Sequence, residues 1–248
     1  MRRTLFVAAT ILSAFLLAVP ARPQDAKTGA QSTPQALKAT YDQAMQAKDW
    51  LAAIAAAQQL VDANATSANL LLLANAQLNA ASAHSDTGPM ETALATYDRA
   101  LAAAQQEKPV EGQPDSAWKD GVSKIYIGKG NALLKLKRNA DAIDSYNRAA
   151  ELSSNSGQAY FNVCAVSYNI GETTAAVTAC RKSVQADPTR ANAWFVLGSS
   201  LFADAQVSSI GKVTITAETR QALEKYLALA PDGPHAADVK AMLDMVAK

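Results

Sequence analysis

A period of 34 residues runs through the C-terminal half of the sequence. Three units begin at Ser123, Gly157 and Ala191, and each places the same classes of residue in the same order. An aromatic ring comes first, a small residue follows four positions later, and an apolar or small residue follows three positions after that: Tyr126, Gly130 and Leu133, then Tyr160, Cys164 and Ser167, then Trp194, Gly198 and Leu201. These intervals place the residues on one face of an α-helix. A fixed period of this length is typical of stacked helix pairs.

The second half of each unit predicts a second helix. Ala142 is in phase with Ala176, and Tyr146 is in phase with Cys180. The small alanines allow this helix to approach the first one closely, and the ring at Tyr146 is expected to fill the gap toward the next unit. Proline cannot continue a helix and restricts the residue before it, so Asp187-Pro188 marks a helix end.

The third unit leaves the period after Ala205 and resumes it nine residues late, which predicts an inserted loop near residues 206–216. Within it, Lys212 to Thr216 alternate polar and apolar residues, a pattern typical of a short strand. Two interpretations remain open. The insertion packs on its own helices, or it presents an edge that a partner strand can extend.

Two stretches, Ala140 to Leu152 (ADAIDSYNRAAEL) and Thr189 to Leu201 (TRANAWFVLGSSL), resemble the tetratricopeptide-repeat family. The resemblance extends over Ser123 to Pro231. It implies an all-α protein, a right-handed α-solenoid of about five helix pairs with a C-terminal capping helix. Lys129 and Ser167 depart from the family, which prefers an aliphatic residue at the first position and a larger residue at the second.

The pattern predicts more degenerate helix pairs upstream, where terminal units of a solenoid are expected to be atypical. We expect one helix over Leu70 to Leu78 and a loop after it at residues 82–89. The capping helix runs from about His235 to Val246. The expected organisation is a signal peptide at 1–21, a flexible tether at 22–34, N-terminal pairs at 35–107, a connection at 108–118, and C-terminal units with the capping helix at 119–248.

The N-terminus has the features of a secretory signal peptide. Arg2 and Arg3 precede an apolar run from Leu5 to Val19, and small residues lead to a predicted cleavage after Ala21. The run is shorter than the roughly 20 residues that cross a bilayer stably. We therefore expect an exported mature protein, periplasmic or secreted, without a stable membrane span.

The charges and reactive side chains favour no catalytic chemistry. The net charge is +1, so no strong field attracts nucleic acid. His84 and His235 are the only histidines, and neither has a second His or Cys at metal-ligand spacing. We expect no enzyme activity, no metal and no cofactor.

Cys164 and Cys180 are the only cysteines, and both fall at inward positions of one helix pair. Their side chains are therefore expected to meet. An oxidising compartment favours a disulfide between them, whereas two buried free thiols would produce the same sequence pattern. The sequence leaves both alternatives open.

The resemblance implies that the first helix of each pair lines a concave groove, where exposed rings mark a binding surface. Carried onto this sequence, the partner-binding positions are Ile127, Asn131, Leu134, Phe161, Asn162, Tyr168, Asn192, Phe195 and Phe202. We expect an apolar or amphipathic partner segment whose backbone bonds to Asn131 and Asn162. The alternative is that these rings pack between units.

Some members of the family hold a C-terminal carboxylate with paired lysines and asparagines. Asn131 and Asn162 match the asparagine positions of that clamp, whereas its basic positions are Ile127, Asn192 and Val196 here. The clamp is therefore absent. The sequence predicts an exported scaffold for protein–protein interaction, in envelope assembly or secretion. The alternative is a module that binds glycan or peptidoglycan, or an accessory subunit of an envelope enzyme.

Overall fold

The computed structural model describes residues 33–84, 87–109, 111–112, 114–209 and 213–246. These residues form eleven helices and one short two-stranded hairpin. The elements follow one another in this order: α1 (Pro34–Ala47), α2 (Trp50–Ala63), α3 (Ser67–His84), α4 (Thr87–Gln106), α5 (Ser116–Lys135), α6 (Asn139–Leu152), α7 (Gly157–Asn169), α8 (Thr173–Ala186), α9 (Ala191–Phe202), β1 (Gln206–Val207), β2 (Val213–Thr214), α10 (Ala217–Leu229) and α11 (Ala236–Met245).

The helices pack as five successive pairs: α1 with α2, α3 with α4, α5 with α6, α7 with α8, and α9 with α10. The second helix of each pair also packs against the first helix of the next pair, and α11 closes the array against α10. The predicted fold, five helix pairs with a C-terminal capping helix, is therefore confirmed. We call the side formed by the first helices α1, α3, α5, α7 and α9 the inner face. The side formed by α4, α6 and α8 is the outer face.

A residue in the left-handed conformation makes the turn within three of the pairs. Lys48, Lys137 and Gly171 have φ angles of 58°, 59° and 83°. In each turn, the amide of the next residue donates to the carbonyl five positions earlier, at 2.8–2.9 Å. This is the hydrogen bond of a Schellman motif, which satisfies a carbonyl that the helix end leaves unpaired. The chain thus reverses direction within a few residues, and the second helix returns along the first.

The two helices of a pair approach each other where a small residue on the first faces a large side chain on the second. In the α5–α6 pair, a Cβ added to Gly130 would lie 2.5 Å from the ring of Tyr146. In the α9–α10 pair, a Cβ added to Gly198 would lie 2.7 Å from the side chain of Leu223. Tyr146 and Leu223 are almost completely buried. In these two pairs, the small residue of the sequence period is therefore a point where the two helices are in closest contact.

Some predicted boundaries on the N-terminal side are wrong. Pro34 is the first residue of α1 and does not belong to a tether, because Thr33 caps the helix by accepting a hydrogen bond from the Ala36 amide at 3.2 Å. The loop expected at residues 82–89 is largely helical, since α3 continues to His84 and α4 begins at Thr87. Pro89 lies in the first turn of α4, where a missing amide proton removes no helical hydrogen bond.

Helix α5 begins at Ser116, so the connection predicted at 108–118 ends earlier than expected. Trp118, near the start of this helix, donates its indole N–H to the Ala104 carbonyl at 2.8 Å. That bond ties the first turn of α5 to the last turns of α4. The predicted signal peptide at 1–21, and the tether up to residue 32, lie outside the described residues.

The insertion after α9 forms a short antiparallel hairpin. Gln206 pairs with Thr214 and Val207 pairs with Val213, while residues 210–212 are outside the described part of the chain. Val213 also forms a parallel bridge with Val246 beyond α11. The insertion is thus held by the chain's own C-terminal segment, which agrees with the interpretation that it packs on its own chain.

The close approach at Gly130 predicts opposite effects for two alanine substitutions within α5. In Gly130→Ala the new methyl group collides with the buried Tyr146 ring, and the free energy of unfolding should fall by about 1–3 kcal/mol. In Gly121→Ala the new methyl meets no atom within 4 Å. Because alanine favours helix over glycine, that variant should gain up to about 1 kcal/mol. Urea unfolding followed by circular dichroism measures both changes, and equal effects in the two variants would contradict the packing described here.

Candidate functional site

The inner face carries five repeated positions on each of the helices α5, α7 and α9. They are Lys124, Ile127, Asn131, Leu134 and Lys135; Gln158, Phe161, Ala165, Tyr168 and Asn169; and Asn192, Phe195, Ser199, Phe202 and Ala203. All of these residues are exposed or half-buried. The alternate faces of the same helices are buried in the core, including Gly130, Cys164 and Gly198. The period therefore keeps one accessible stripe on each first helix.

Apolar side chains stand on that accessible stripe. Leu134 and Tyr168, one period apart, are 38% and 40% exposed. Phe202 occupies the same position on α9 and is half-buried. Burying such side chains on binding is favourable, at about 25 cal/mol per Å² of apolar surface. Leu134 and Tyr168 are therefore the most accessible of the apolar candidate contacts.

The ring of Phe195 is already occupied by the chain itself. It stacks on His235 with the ring centroids 3.8 Å apart and the planes within 4°, and it lies 5.6 Å from the Tyr226 ring. The backbone N–H of His235 in turn donates to the Tyr226 hydroxyl at 2.9 Å. Phe195 thus serves packing at the C-terminal end, which is the alternative that the sequence left open for these rings.

Phe161 is half-buried, and the guanidinium of Arg190 lies 5.7 Å from its ring centroid. Arg190 is held in that position by Asp187 at 2.9 Å and by Gln158, whose Oε1 accepts a hydrogen bond at 2.7 Å. Gln158 also donates to Oδ1 of Asn162 at 2.8 Å. Hydrogen bonds from Thr189, followed by the charge of Arg190, lower the pKa of Asp187, so its carboxylate remains charged opposite this arginine. Phe161 and Asn162 therefore both contact one network of polar side chains, which links α7 to the turn between α8 and α9.

A tyrosine of the second helix orients an asparagine on the inner face. The Tyr146 hydroxyl donates to Oδ1 of Asn131 at 2.7 Å. Burial raises the pKa of Tyr146 to about 12, so the phenol remains a donor at neutral pH. The amide nitrogen of Asn131 has no hydrogen-bond partner among the described residues. A fixed Oδ1 and an available N–H₂ make this side chain a donor for a bound backbone carbonyl.

The same arrangement occurs one pair earlier, where sequence reasoning missed it. The Tyr97 hydroxyl donates to Oδ1 of Asn75 on α3 at 2.7 Å. Asn75, Asn131 and Leu134 line one cavity of about 300 Å³ between α3 and α5. The signal was present in the sequence: Asn75 follows the small residue Ala74 just as Asn131 follows Gly130. The equivalence is hard to recognise in the sequence because Asn75 and Tyr97 are 22 residues apart, whereas Asn131 and Tyr146 are 15 residues apart.

Cys164 and Cys180 are joined by a disulfide between α7 and α8, with their Cα atoms 4.9 Å apart. Cys164 occupies the position of Gly130 and Gly198, and Cys180 occupies that of Tyr146. Both cysteines are completely buried. In this pair the covalent bond therefore takes the place of a large side chain packed on a small one.

The described residues contain no group of three or more His, Cys, Asp or Glu side chains placed to hold a metal ion. None of the described helices is long and apolar enough to cross a bilayer. Lys129, where the sequence departs from the aliphatic residue expected, forms an ion pair with Asp98 at 2.7 Å. This pair links α5 to α4 on the outer face and adds no charge to the inner face.

Comparison with known proteins agrees with this geometry. Residues 123–156 match the sequence profile of the Tetratricopeptide repeat family. The crystal structure of YrrB, a TPR protein with an unusual peptide-binding site, aligns with 87% of this chain and 96% of its own at 17% identity and a TM-score of 0.54. The crystal structure of MamA protein aligns with 84% of this chain and 95% of its own at 18% identity and a TM-score of 0.55. No curated protein matches the sequence. Identities this low establish a shared fold.

The disulfide predicts that reduction destabilises the α7–α8 pair. For a bond that closes 16 residues, the loss should be about 3 kcal/mol of unfolding free energy. Thermal melting of the wild type should shift to lower temperature when a reductant is added. The double variant Cys164→Ala/Cys180→Ala should melt at the same temperature with and without it. Free thiols on both cysteines in the oxidised, folded wild type would contradict the bond.

Proposed function

We propose that this chain, which has the fold of tetratricopeptide-repeat proteins and matches that family over residues 123–156, binds a polypeptide segment along its inner face as a non-enzymatic scaffold. The observation that carries the proposal is the accessible stripe on α5, α7 and α9, where all fifteen repeated positions remain exposed or half-buried. The stripe contains both side chains with apolar surface and side chains with amide groups. Such a surface suits a flexible chain that has both apolar side chains and a polar backbone.

The segment that fits best is apolar or amphipathic. Leu134 and Tyr168 offer accessible apolar surface at equivalent places of successive pairs. Asn131 supplies an amide donor beside Leu134, and Asn75 supplies an equivalent group across the same cavity. Backbone hydrogen bonds from such amides give affinity without selecting a sequence, whereas apolar contacts select side chains. The peptide-binding site described for YrrB supports this class of partner.

A C-terminal carboxylate is a poor ligand for this face. The positions that carry basic residues in the carboxylate clamp of related proteins are Ile127, Asn192 and Val196 in this chain. Val196 is also buried, with 7% of its surface exposed. At those positions a terminal carboxylate would therefore lose its hydration without gaining an ion pair. An internal segment of the partner avoids that cost.

We also propose that the protein acts after export, in envelope assembly or secretion. Two observations support a compartment outside the cytoplasm. The sequence begins with a charged and then apolar segment that ends in small residues at Val19 and Ala21. The disulfide Cys164–Cys180 is a bond that persists in oxidising compartments and is rare in the cytosol.

Peptide selection tests the inner face directly. Random linear peptides displayed on phage are selected on the purified chain, and the affinity of the enriched peptides is measured by fluorescence anisotropy. The variant Leu134→Ala/Tyr168→Ala should weaken binding about tenfold or more, since central apolar contacts contribute most of the binding energy. Leu229→Ala is the matched control, because Leu229 on α10 is equally exposed at 40% but lies away from the inner face.

Equal affinities in all three proteins would refute the inner-face site. Failure to enrich any peptide, together with co-sedimentation of the chain with purified peptidoglycan, would favour a glycan-binding module instead. Unchanged melting temperatures of the variants exclude an effect through unfolding.

Export is tested by expressing the full chain in a Gram-negative host and determining the mass of the protein in each fraction. The periplasmic form should lack residues 1–21 and begin at Arg22. Ala21→Tyr should block cleavage, because a signal peptidase accepts only a small residue at that position. An uncleaved wild type confined to the cytoplasm would contradict the proposal.

A further inference from the structure

The outer face has two furrows at equivalent places of successive pairs. The first lies over α5 between α4 and α6, and it has a volume of about 420 Å³. The second lies over α7 between α6 and α8, and it has a volume of about 500 Å³. We call the second one the α7 furrow. The lining positions on α5 and α6 recur 34 residues later on α7 and α8, and those on α4 recur at the equivalent turn of α6, so the two furrows can be compared residue by residue.

The first furrow is charged and internally paired. Lys129 binds Asp98 at 2.7 Å, and Arg138 binds Asp141 at 2.8 Å. Its floor is filled by Leu133, which is 2% exposed. These charges already have partners, and the leucine leaves no room at the base. The first furrow therefore offers no feature that indicates a ligand, and it serves as the comparison for the second furrow.

Most of those charges are absent from the equivalent positions of the α7 furrow. Val163 stands where Lys129 stands in the first furrow, Ala175 where Asp141 stands, and Asn147 replaces Asp98. Two ionisable side chains of opposite sign remain, Lys182 and Glu172. The ammonium of Lys182 lies over the Tyr160 ring, 5.1 Å from its centroid. The walls are thus mainly apolar and aromatic, and the remaining charges give no net attraction for an ion.

Ser167 lies at the floor of the α7 furrow. The equivalent residues of the neighbouring pairs are Leu133 and Leu201, which have larger side chains. Its side chain is completely buried. Within the described part of the chain, its Oγ has no hydrogen-bond partner. By contrast, the hydroxyl of Thr178, which also lines the furrow, donates to the Thr174 carbonyl at 2.9 Å. A buried hydroxyl without a partner is unfavourable unless something in the cavity bonds to it.

We propose that the α7 furrow binds a neutral aromatic group with one hydrogen-bonding atom, such as a phenol or an indole, whose polar atom bonds to the Ser167 hydroxyl. The apolar walls and the Tyr160 ring suit an aromatic body, since aromatic pairs stack or pack edge to face. A volume of about 500 Å³ is within the range of small-molecule sites. The disulfide Cys164–Cys180 joins α7, which carries Ser167, to the neighbouring helix α8 and so fixes one wall of the furrow against its floor. This site lies on the face opposite to the proposed polypeptide site and does not depend on it.

The proposal is tested by titrating the whole chain, isotopically labelled, with p-cresol and following the amide resonances by NMR. Saturable shifts are expected at residues of α6, α7 and α8 that line the furrow, with an affinity in the millimolar range or tighter. Toluene, which has the same ring without the hydroxyl, should bind about fivefold more weakly, as expected for the loss of one hydrogen bond. Equal binding of toluene and p-cresol would overturn the role of Ser167, and absence of saturable shifts would overturn the site.

Three variants show whether the furrow and its buried hydroxyl are responsible for the binding. Ser167→Leu restores the residue of the neighbouring pairs, so it should keep the fold and abolish binding. Ser167→Ala keeps the cavity and removes the hydroxyl, so p-cresol should bind about as weakly as toluene. Leu134→Ala/Tyr168→Ala changes only the inner face and should leave p-cresol binding unchanged. Undiminished binding in a folded Ser167→Leu protein would overturn the proposal.

The aromatic group can belong to a polypeptide or to a free small molecule. Comparison of N-acetyl-tyrosinamide with p-cresol distinguishes these sources, because the first carries peptide groups on either side of the ring. Tighter binding of the tyrosinamide supports a tyrosine of a partner chain as the occupant. Tighter binding of p-cresol supports a free aromatic molecule.

Discussion

The close contact between the two helices of each pair determines the rest of the architecture. A residue with little or no side chain on the first helix allows a large side chain of the second to lie against its backbone, as Tyr146 does at Gly130 and Leu223 does at Gly198. The two helix axes can then approach closely, and the buried large side chain fills the space between them. The α7–α8 pair achieves the same proximity with a covalent bond, since neither Cys164 nor Cys180 is large enough to fill that space alone.

This contact also separates the two faces of the array. Residues on the side of the first helix that meets the second are buried, so the opposite side remains accessible and forms the inner face. The buried rings contribute to that face through their polar atoms: the Tyr97 and Tyr146 hydroxyls reach Asn75 and Asn131 and fix their orientation. The residues that stabilise the core and the residues offered to a partner are therefore linked by single hydrogen bonds.

The outer face depends on the same repeat but varies in chemistry. Equivalent positions carry paired charges over α5 and neutral side chains over α7, while the helix geometry is preserved. Ser167 is the clearest departure, because a small hydroxyl side chain stands at a position that is filled by leucine in the adjacent pairs. A solenoid tolerates such a change since each pair contacts only its neighbours, and a local opening does not propagate through the array. Different side chains at equivalent helix positions therefore give the two furrows different surfaces, although the helix packing is the same.

The sequence by itself determined the helix pairs and their number, and its resemblance to the family implied which positions of α5, α7 and α9 face a partner. It could do so because a 34-residue period returns each position to the same face of its helix, whatever the rest of the chain does. Only the tertiary structure decided which of those positions are already occupied. His235, 40 residues beyond Phe195 and outside the repeat, stacks on its ring. The early start of α5 and the helical extension of α3 also depend on contacts between neighbouring helices, such as the bond from Trp118 to Ala104. Likewise, the period placed Cys164 and Cys180 on facing helices, whereas their bond required the distance between two backbones that no pattern along the chain encodes.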